Sequence, residues 1–433
     1  MKRLLIISYY WPPTGGSGVQ RWVKFAKYLP SAGWQPVVYT PENPEQLAVD
    51  ESLLSDIPQE AEIIKTTITE PYGLYRKFFG ASQNGGKGAG VNPLNSQKKS
   101  WKQKLAVLLR GNLFIPDPRV WWVRPSVKFL RRYLAEHPVD AMVTTGPPQS
   151  MHLIGLGLKK AMGAAAPRWI VDFRDPWTQM FYFKHLGLLP FAERKHRRLE
   201  QRVLDAADDI ISVSPPVRDD FRKATATPVH LVTNGFDADD YSGCSYSPGE
   251  HFTIVHTGLF ASDGNPLVLW DILASKSSAD PAFAASLRIV LAGKTDPEIV
   301  EAIRSRGLEG NLELAGYLPH ERTVALQISA SMLILPLRRE PEYRKVLPGK
   351  IFEYLASRRP VLGIGQEDGA AASVLRSAGS GDMYDWENRA PMEAFVDGQW
   401  EAFLKGDASP VGHDIDRYSR EGLTGQLVGI LDV

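Results

Sequence analysis

The stretch 332–365, MLILPLRREPEYRKVLPGKIFEYLASRRPVLGIG, constrains this chain most. Its apolar run, Met332 to Leu337, has the length and composition of a buried strand. A charged loop follows from Arg338 to Leu347. Pro348-Gly349 then opens a short helix, predicted over Lys350 to Ser357. Pro360 ends the next turn, and Val361 to Ile364 reads as a second buried strand. Strand, loop, helix, strand is the repeating unit of a parallel α/β sheet, where ligands lie beyond the carboxyl ends of the strands. The amides of Gly349 and Lys350 fall in the first helical turn, where unpaired N–H groups attract phosphate, and Lys350 adds a full charge. Glu353, one turn on, is spaced to accept two hydroxyl hydrogens from a ribose; the competing reading is a solvated acid paired with Lys350. Together these residues point to a nucleotide site.

The same alternation recurs along the chain. Arg3 to Ser8, Pro36 to Thr40, Ala141 to Thr145, Arg168 to Asp172, Asp209 to Ser214 and Val229 to Val232 read as strands of a first half. Phe252 to Thr257, Leu287 to Ala292, Leu312 to Ala315, Met332 to Leu335 and Val361 to Ile364 do so in a second. Helices fall between them, so each half predicts a parallel sheet. The first turn is YYWPPTGGSG, before a helix predicted over Val19 to Leu29. Gly15, Gly16 and Gly18 let the backbone approach a phosphate or sugar closely. The spacing is not G-x-G-x-x-G, because Arg21 holds the third place, which argues against a dehydrogenase dinucleotide fold.

Two further turns carry chemistry-bearing residues. Gly146-Pro147-Pro148-Gln149-Ser150 precedes a helix with His152 in its first turn. His152 reads either as a ligand-facing group or as a residue that caps or packs its helix. The strand at Arg168 ends in Asp172-Phe173-Arg174-Asp175-Pro176-Trp177. Arg174 and Asp175 are either functional groups or an ion pair that fixes a loop. Asp172 and Asp175 are too few carboxylates to define a metal site. Asp237-Ala238-Asp239 matches a D-x-D metal motif by letter, but that motif belongs inside a different arrangement of strands; residues 238–250, polar with Gly, Ser and Pro, read as a linker.

The 433 residues allow two or three domains. One cysteine, Cys244, excludes a disulfide framework and fits a reducing cytoplasm. The opening MKRLLIIS is too short for a signal-peptide core and runs into Tyr9-Tyr10-Trp11-Pro12-Pro13, so it reads as a first strand. No stretch is long and apolar enough to cross a bilayer. Charge is uneven: residues 1–235 hold 32 Lys+Arg against 20 Asp+Glu, and residues 236–433 hold 18 against 29. The first half is thus predicted to meet an anionic partner or surface.

PGKIFEYLASRRPVL resembles the donor-site signature of family-4 glycosyltransferases, the group 1 type with a glycosyltransferase 4-like N-terminal domain. TTGPPQSMHLIGLGLKK and DFRDPWT look like a bacterial subgroup that builds surface polysaccharides. The resemblance implies the α/β GT-B fold, two Rossmann-like domains whose parallel sheets face a central cleft. It implies an acceptor-side domain over 1–235 and a nucleotide-sugar domain over 236–410; within the first, residues 68–118, with Asn84, Gly85, Gly86, Gly88, Gly90, Asn92 and Asn95 before the basic run from Lys98, read as a mobile basic insertion. A last helix, Arg417 to Leu431 within 411–433, would cross back to the first domain. In this family the second glutamate of the signature, matched by Glu353, holds the donor ribose. Lys345 stands where the first would fall. The family's loop after the first strand of the second half carries Arg and Lys for the pyrophosphate. Here Gly258 to Asn265 holds neither, leaving Lys294, Arg338, Arg339 and Lys350 to supply charge. The glycine loop would face the pyrophosphate and the reacting sugar. Arg174 stands near an acceptor-side position that is often histidine in the family, beside Asp172, Asp175 and His152.

The activity so implied is retaining transfer from a nucleotide-diphospho-sugar to a glycan or lipid-linked acceptor, with no metal and no cofactor. In the family the leaving phosphate is thought to take the acceptor's proton on the same face. Two other readings keep the fold: a nucleotide-sugar epimerase, and a non-catalytic nucleotide-sugar binder or partner subunit. Residues 98–132 interleave cations with Trp101, Leu105, Leu108, Leu109, Leu113, Phe114, Trp121 and Trp122. That composition predicts weak binding to an anionic membrane and a peripheral place on the inner face of the cell membrane. No nucleic-acid-binding motif accompanies the charge.

Overall fold

A computed structural model describes residues 1–44, 49–70, 108, 111–243 and 249–433. The chain divides into two compact units, Met1–Thr233 with Leu423–Val433, and Asn234–Gly422.

The first unit runs β1 (Lys2–Ile7), α1 (Ser17–Tyr28), β2 (Trp34–Pro41), β3 (Glu62–Thr66), α2 (Val120–Glu136), β4 (Ala141–Gly146), α3 (Ser150–Met162), β5 (Arg168–Phe173), α4 (Pro190–Ala206), β6 (Asp209–Ser212), α5 (Pro215–Ala224) and β7 (Val229–Leu231). Its sheet has the order β3-β2-β1-β4-β5-β6-β7, and every pairing is parallel. The central strands β1, β2, β4 and β5 are mostly apolar because helices cover both faces. Side chains alternate across the sheet: Leu4 and Ile6 enter one core, Leu5 and Ile7 the other.

The second unit repeats the plan with β8 (Phe252–Thr257), α6 (Leu267–Ala279), α7 (Pro281–Ser286), β9 (Leu287–Ala292), α8 (Pro297–Arg304), β10 (Leu312–Gly316), α9 (His320–Ser329), β11 (Met332–Pro336), α10 (Lys350–Ala356), β12 (Val361–Ile364), α11 (Ala370–Ser377), β13 (Gly381–Tyr384) and α12 (Arg389–Leu404). Its sheet is parallel in the order β10-β9-β8-β11-β12-β13. Ile254 and Val255 again enter opposite cores. In both sheets the winding reverses beside the first strand, between β1 and β4 and between β8 and β11. Crevices at such reversals are where open α/β sheets bind ligands.

The last helix, α13 (Arg420–Leu431), sends Leu423, Leu427, Ile430 and Leu431 into the first unit's core. It starts three residues later than the sequence predicts, because Ile415–Tyr418 form a separate turn. Strands β3 and β13 and helix α4 escape sequence reading. Glu62–Thr66 is only half-buried and α4 is rich in charge, so neither carries a strong apolar period.

The basic segments also need correction. Of the long loop expected at 68–118, residues 71–107, 109 and 110 lie outside the described residues. Residues 111–113 are helical, and the Asn112 side chain bonds Gly187 O and Leu189 N. From Val120 the segment is a regular helix burying Trp122, Ser126, Leu130 and Leu134. Trp122 stacks on Tyr39 at 4.9 Å. Arg119 is buried against Glu70 at 2.8 Å and lies over the Tyr9 ring. Trp122 and Arg119 are therefore core groups, not membrane-facing ones.

Candidate functional site

In the first unit, three loops meet at the carboxyl end of the sheet. Gly16 precedes α1 at φ 106°, a conformation that side chains resist. A Cβ at Gly15 would stand 3.0 Å from that of Asp50, and one at Gly18 would stand 2.9 Å from Arg174 Nη1. The Arg174 guanidinium stitches these loops together. It donates from Nε to Gly146 O at 3.3 Å, from Nη1 to Gly18 O and from Nη2 to Pro147 O. The loop-fixing role is thus real, but its partners are backbone carbonyls rather than Asp175. Asp175 is half-buried, and burial raises its carboxyl pKa while Arg174 opposes the rise.

Asp172 and His152 lie inside the unit. Asp172 is 0% exposed and accepts bonds from Arg21, Trp22 Nε1 at 2.7 Å and Thr145 Oγ1 at 2.9 Å. Burial alone would raise its pKa; Arg21 and these bonds outweigh that and hold it low. Arg21 also donates to Thr233 O and Val232 O, tying α1 to the end of the unit. His152 is 0% exposed, with Nδ1 2.9 Å from Thr144 Oγ1. Trp169 Nε1 donates to the same hydroxyl at 3.0 Å. Burial lowers the His152 pKa to about 3, so the ring is neutral and packs its helix. Direct substrate contact is corrected for both residues, because both are fully buried: Asp172 bonds α1 and β4, and His152 bonds Thr144 and packs on Phe173 at 4.7 Å.

In the second unit the site forms at the β8–β11 reversal. Gly258 follows β8 at φ 91°. Lys350 Nζ reaches back over it, 3.4 Å from where a Cβ would stand, and donates to Leu259 O at 3.2 Å. The loop that lacks its own cation therefore receives one from α10. Burial lowers the Lys350 pKa to about 8, with Glu353 opposing the shift. Lys350 also donates to His256 Nε2 at 3.2 Å, which leaves Nδ1–H of that buried ring for Ile334 O. Burial, then Lys350, drives the His256 pKa well below its usual value.

Glu353 is half-buried one turn along. Its Oε2 accepts from Gln327 Nε2 at 3.3 Å; no such bond ties it to Lys350. Gly349 is exposed, but α10 has only seven residues, so its dipole is small beside the Lys350 charge. Lys294 is exposed after β9, and its carbonyl accepts from Phe260 N. Arg338 pairs with Asp263 at 3.1 Å, and Arg339 with Glu387 at 2.9 Å. Lys345 closes the turn Pro341–Lys345. Arg21, His256 and Gln327 carry no motif, and only the fold brings them to their partners. Among the described residues, no group of three or more His, Cys, Asp or Glu could hold a metal, and no helix is long and apolar enough to cross a membrane.

Two parallel-sheet Rossmann-like units of this order define the GT-B fold. Solved structures of that class match over the whole chain. HepE of Anabaena, solved in complex with UDP, aligns with TM-score 0.63 and 14% identity over 100% of both chains. WaaG, a glycosyltransferase involved in lipopolysaccharide biosynthesis, aligns with TM-score 0.54 and 14% identity over 99% of each. A putative UDP-N-acetylglucosamine 2-epimerase from Listeria monocytogenes aligns with TM-score 0.52 and 10% identity over 99% of this chain and 95% of that one. Residues 94–240 match the family described as Glycosyltransferase Family 4. No curated protein matches the sequence.

Proposed function

We propose that this chain is a retaining glycosyltransferase of the family-4 type, transferring a sugar from a nucleotide-diphospho-sugar to a glycan or lipid-linked acceptor in surface-polysaccharide synthesis. The observation that carries the reading is the pairing at the β8–β11 reversal. Lys350 places a cation on the Gly258–Leu259 loop, and Glu353 presents a carboxylate one turn along the same helix. A phosphate cation followed by a ribose acid is the chemistry a nucleoside diphosphate requires. Lys294, Arg338 and Gly349 complete the proposed donor set of the second unit, and Gly15, Gly16 and Gly18 are the proposed donor-binding residues of the first. Arg174 and Asp175 are the proposed acceptor-side groups.

The proposed catalysis is positioning plus charge stabilisation. Lys350 offsets charge on the leaving phosphate, and Glu353 fixes the nucleoside. The proposal includes a peripheral site on the inner membrane face. Leu113, Trp121, Leu189 and Phe191 are exposed in the first unit, and α4 adds exposed Arg194, Lys195 and Arg198. The test offers UDP-, GDP-, ADP- and dTDP-sugars with and without lipid-linked and glycan acceptors. Nucleotide release that depends on an acceptor, with the anomeric configuration kept, is expected. Isomerised nucleotide-sugar formed without acceptor would establish the epimerase instead. Binding without turnover would leave the non-catalytic binder.

A further inference from the structure

We propose that Gln327 is a positioning residue for the Glu353 carboxylate, setting how strongly the site recognises ribose hydroxyls. This rests on the assignment of Glu353 to the donor ribose. Gln327 lies on α9 and is 0% exposed. Its amide makes three hydrogen bonds. Nε2 donates to Glu353 Oε2 at 3.3 Å and to Thr257 Oγ1 at 3.1 Å. Oε1 accepts from the Tyr241 hydroxyl at 3.2 Å. That hydroxyl also lies 3.1 Å from the Glu353 carbonyl oxygen, so its single hydrogen is shared between Gln327 Oε1 and the backbone of the Glu353 turn. Thr257 is fixed in turn, because its N–H donates to the Tyr354 hydroxyl oxygen at 3.0 Å. Burial raises the Tyr354 pKa to about 12, so this anchor stays neutral.

The chemistry explains why an amide stands here. A cation at 327 would neutralise the carboxylate and weaken its grip on hydroxyl hydrogens. An acid would repel it. A neutral donor whose own rotamer is locked holds one oxygen, Oε2, and leaves Oε1 for the ligand. A carboxylate ordered in advance loses less freedom on binding.

The experiment measures the affinities of UDP and 2′,3′-dideoxy-UDP by calorimetry for the parent and for Gln327→Met, which keeps the buried shape and removes the amide. The parent is expected to favour UDP strongly. In Gln327→Met, UDP affinity should fall about tenfold while dideoxy-UDP affinity stays within about twofold, since only the hydroxyl contact depends on the positioned carboxylate. Equal weakening for both nucleotides makes Gln327 merely structural, and an unchanged preference removes it from the site; either overturns the proposal. If the parent itself binds the two equally, the ribose assignment of Glu353 fails, and this inference with it; if it binds neither, the same comparison is made with the nucleoside diphosphate of the base that the sugar screen selects and its 2′,3′-dideoxy form, with the same outcomes deciding. Should Gln327→Met not fold, Tyr241→Phe removes the hydroxyl bonded to Gln327 Oε1. It should lower the preference about threefold, and an unchanged preference would overturn the proposal.

Discussion

Glu353 and Lys350 divide the proposed donor site between them, and each has its own signature. Removing the Glu353 carboxylate should cost nucleotide binding about 2–4 kcal/mol, because two charge-assisted hydrogen bonds are lost. The melting temperature of Glu353→Ala without nucleotide should stay near the parent value; equal nucleotide affinity in both proteins removes the assignment. Lys350 gives a pH dependence whose sign follows from its lowered pKa. Below about 8 it is charged and phosphate binding is at full strength. Above that value protonation must accompany binding, so affinity should fall by up to about tenfold per pH unit. A titration from pH 6 to pH 10 reads this, and Lys350→Met should flatten it. A slope that survives in Lys350→Met assigns the effect elsewhere.

At the scale of the element, α3 packs on β5 through a glycine. A Cβ at Gly155 would stand 2.6 Å from Trp169 Cζ2, inside any normal contact. Two effects oppose each other in Gly155→Ala. Alanine favours a helix by about 1 kcal/mol. Overpacking against a 0%-exposed indole costs about 1–3 kcal/mol. The net should be a destabilisation, read as a lower urea midpoint at unchanged slope; a higher midpoint would mean the helix shifts without strain. The surface formed by α4 and the segment at Leu113 makes a second prediction. Arg194, Lys195 and Arg198 are exposed on one helix beside exposed Phe191. The parent should sediment with anionic vesicles at low salt and not at high salt, and a variant with the three cations changed to Ser should stay in solution. Equal sedimentation of both excludes this surface.

At the scale of the molecule, the chain's end belongs to its beginning. Leu427 is 0% exposed in the first unit's core, and Lys2 pairs with Asp432 at 2.8 Å. Leu427→Ala should lose about 2–5 kcal/mol from that unit. Hydrogen exchange should therefore accelerate in β1, β4 and β5 and remain slow in β8, β9 and β11. Acceleration in both sheets alike would show that the two units unfold together.

The alternation of apolar runs and helix periods is enough to settle the two sheets, because strands buried on both faces are apolar without a break, as in Met332 to Leu335. Lys350 and Glu353 are legible for a similar reason: they sit three residues apart on one helix, so local spacing alone sets their relation. What the sequence could not supply were relations across distance. Arg21 meets Asp172 only after α1 packs on β5, and Gln327 meets Glu353 and Lys350 meets the loop at Gly258 only after β8, α9 and α10 pack together. Nor could it tell Trp122, stacked in the core, from Trp121, which remains exposed one residue away. Composition counts both as apolar. Only the helix phase against the sheet decides which one leaves water, because burial is a property of packed surfaces and not of residue type.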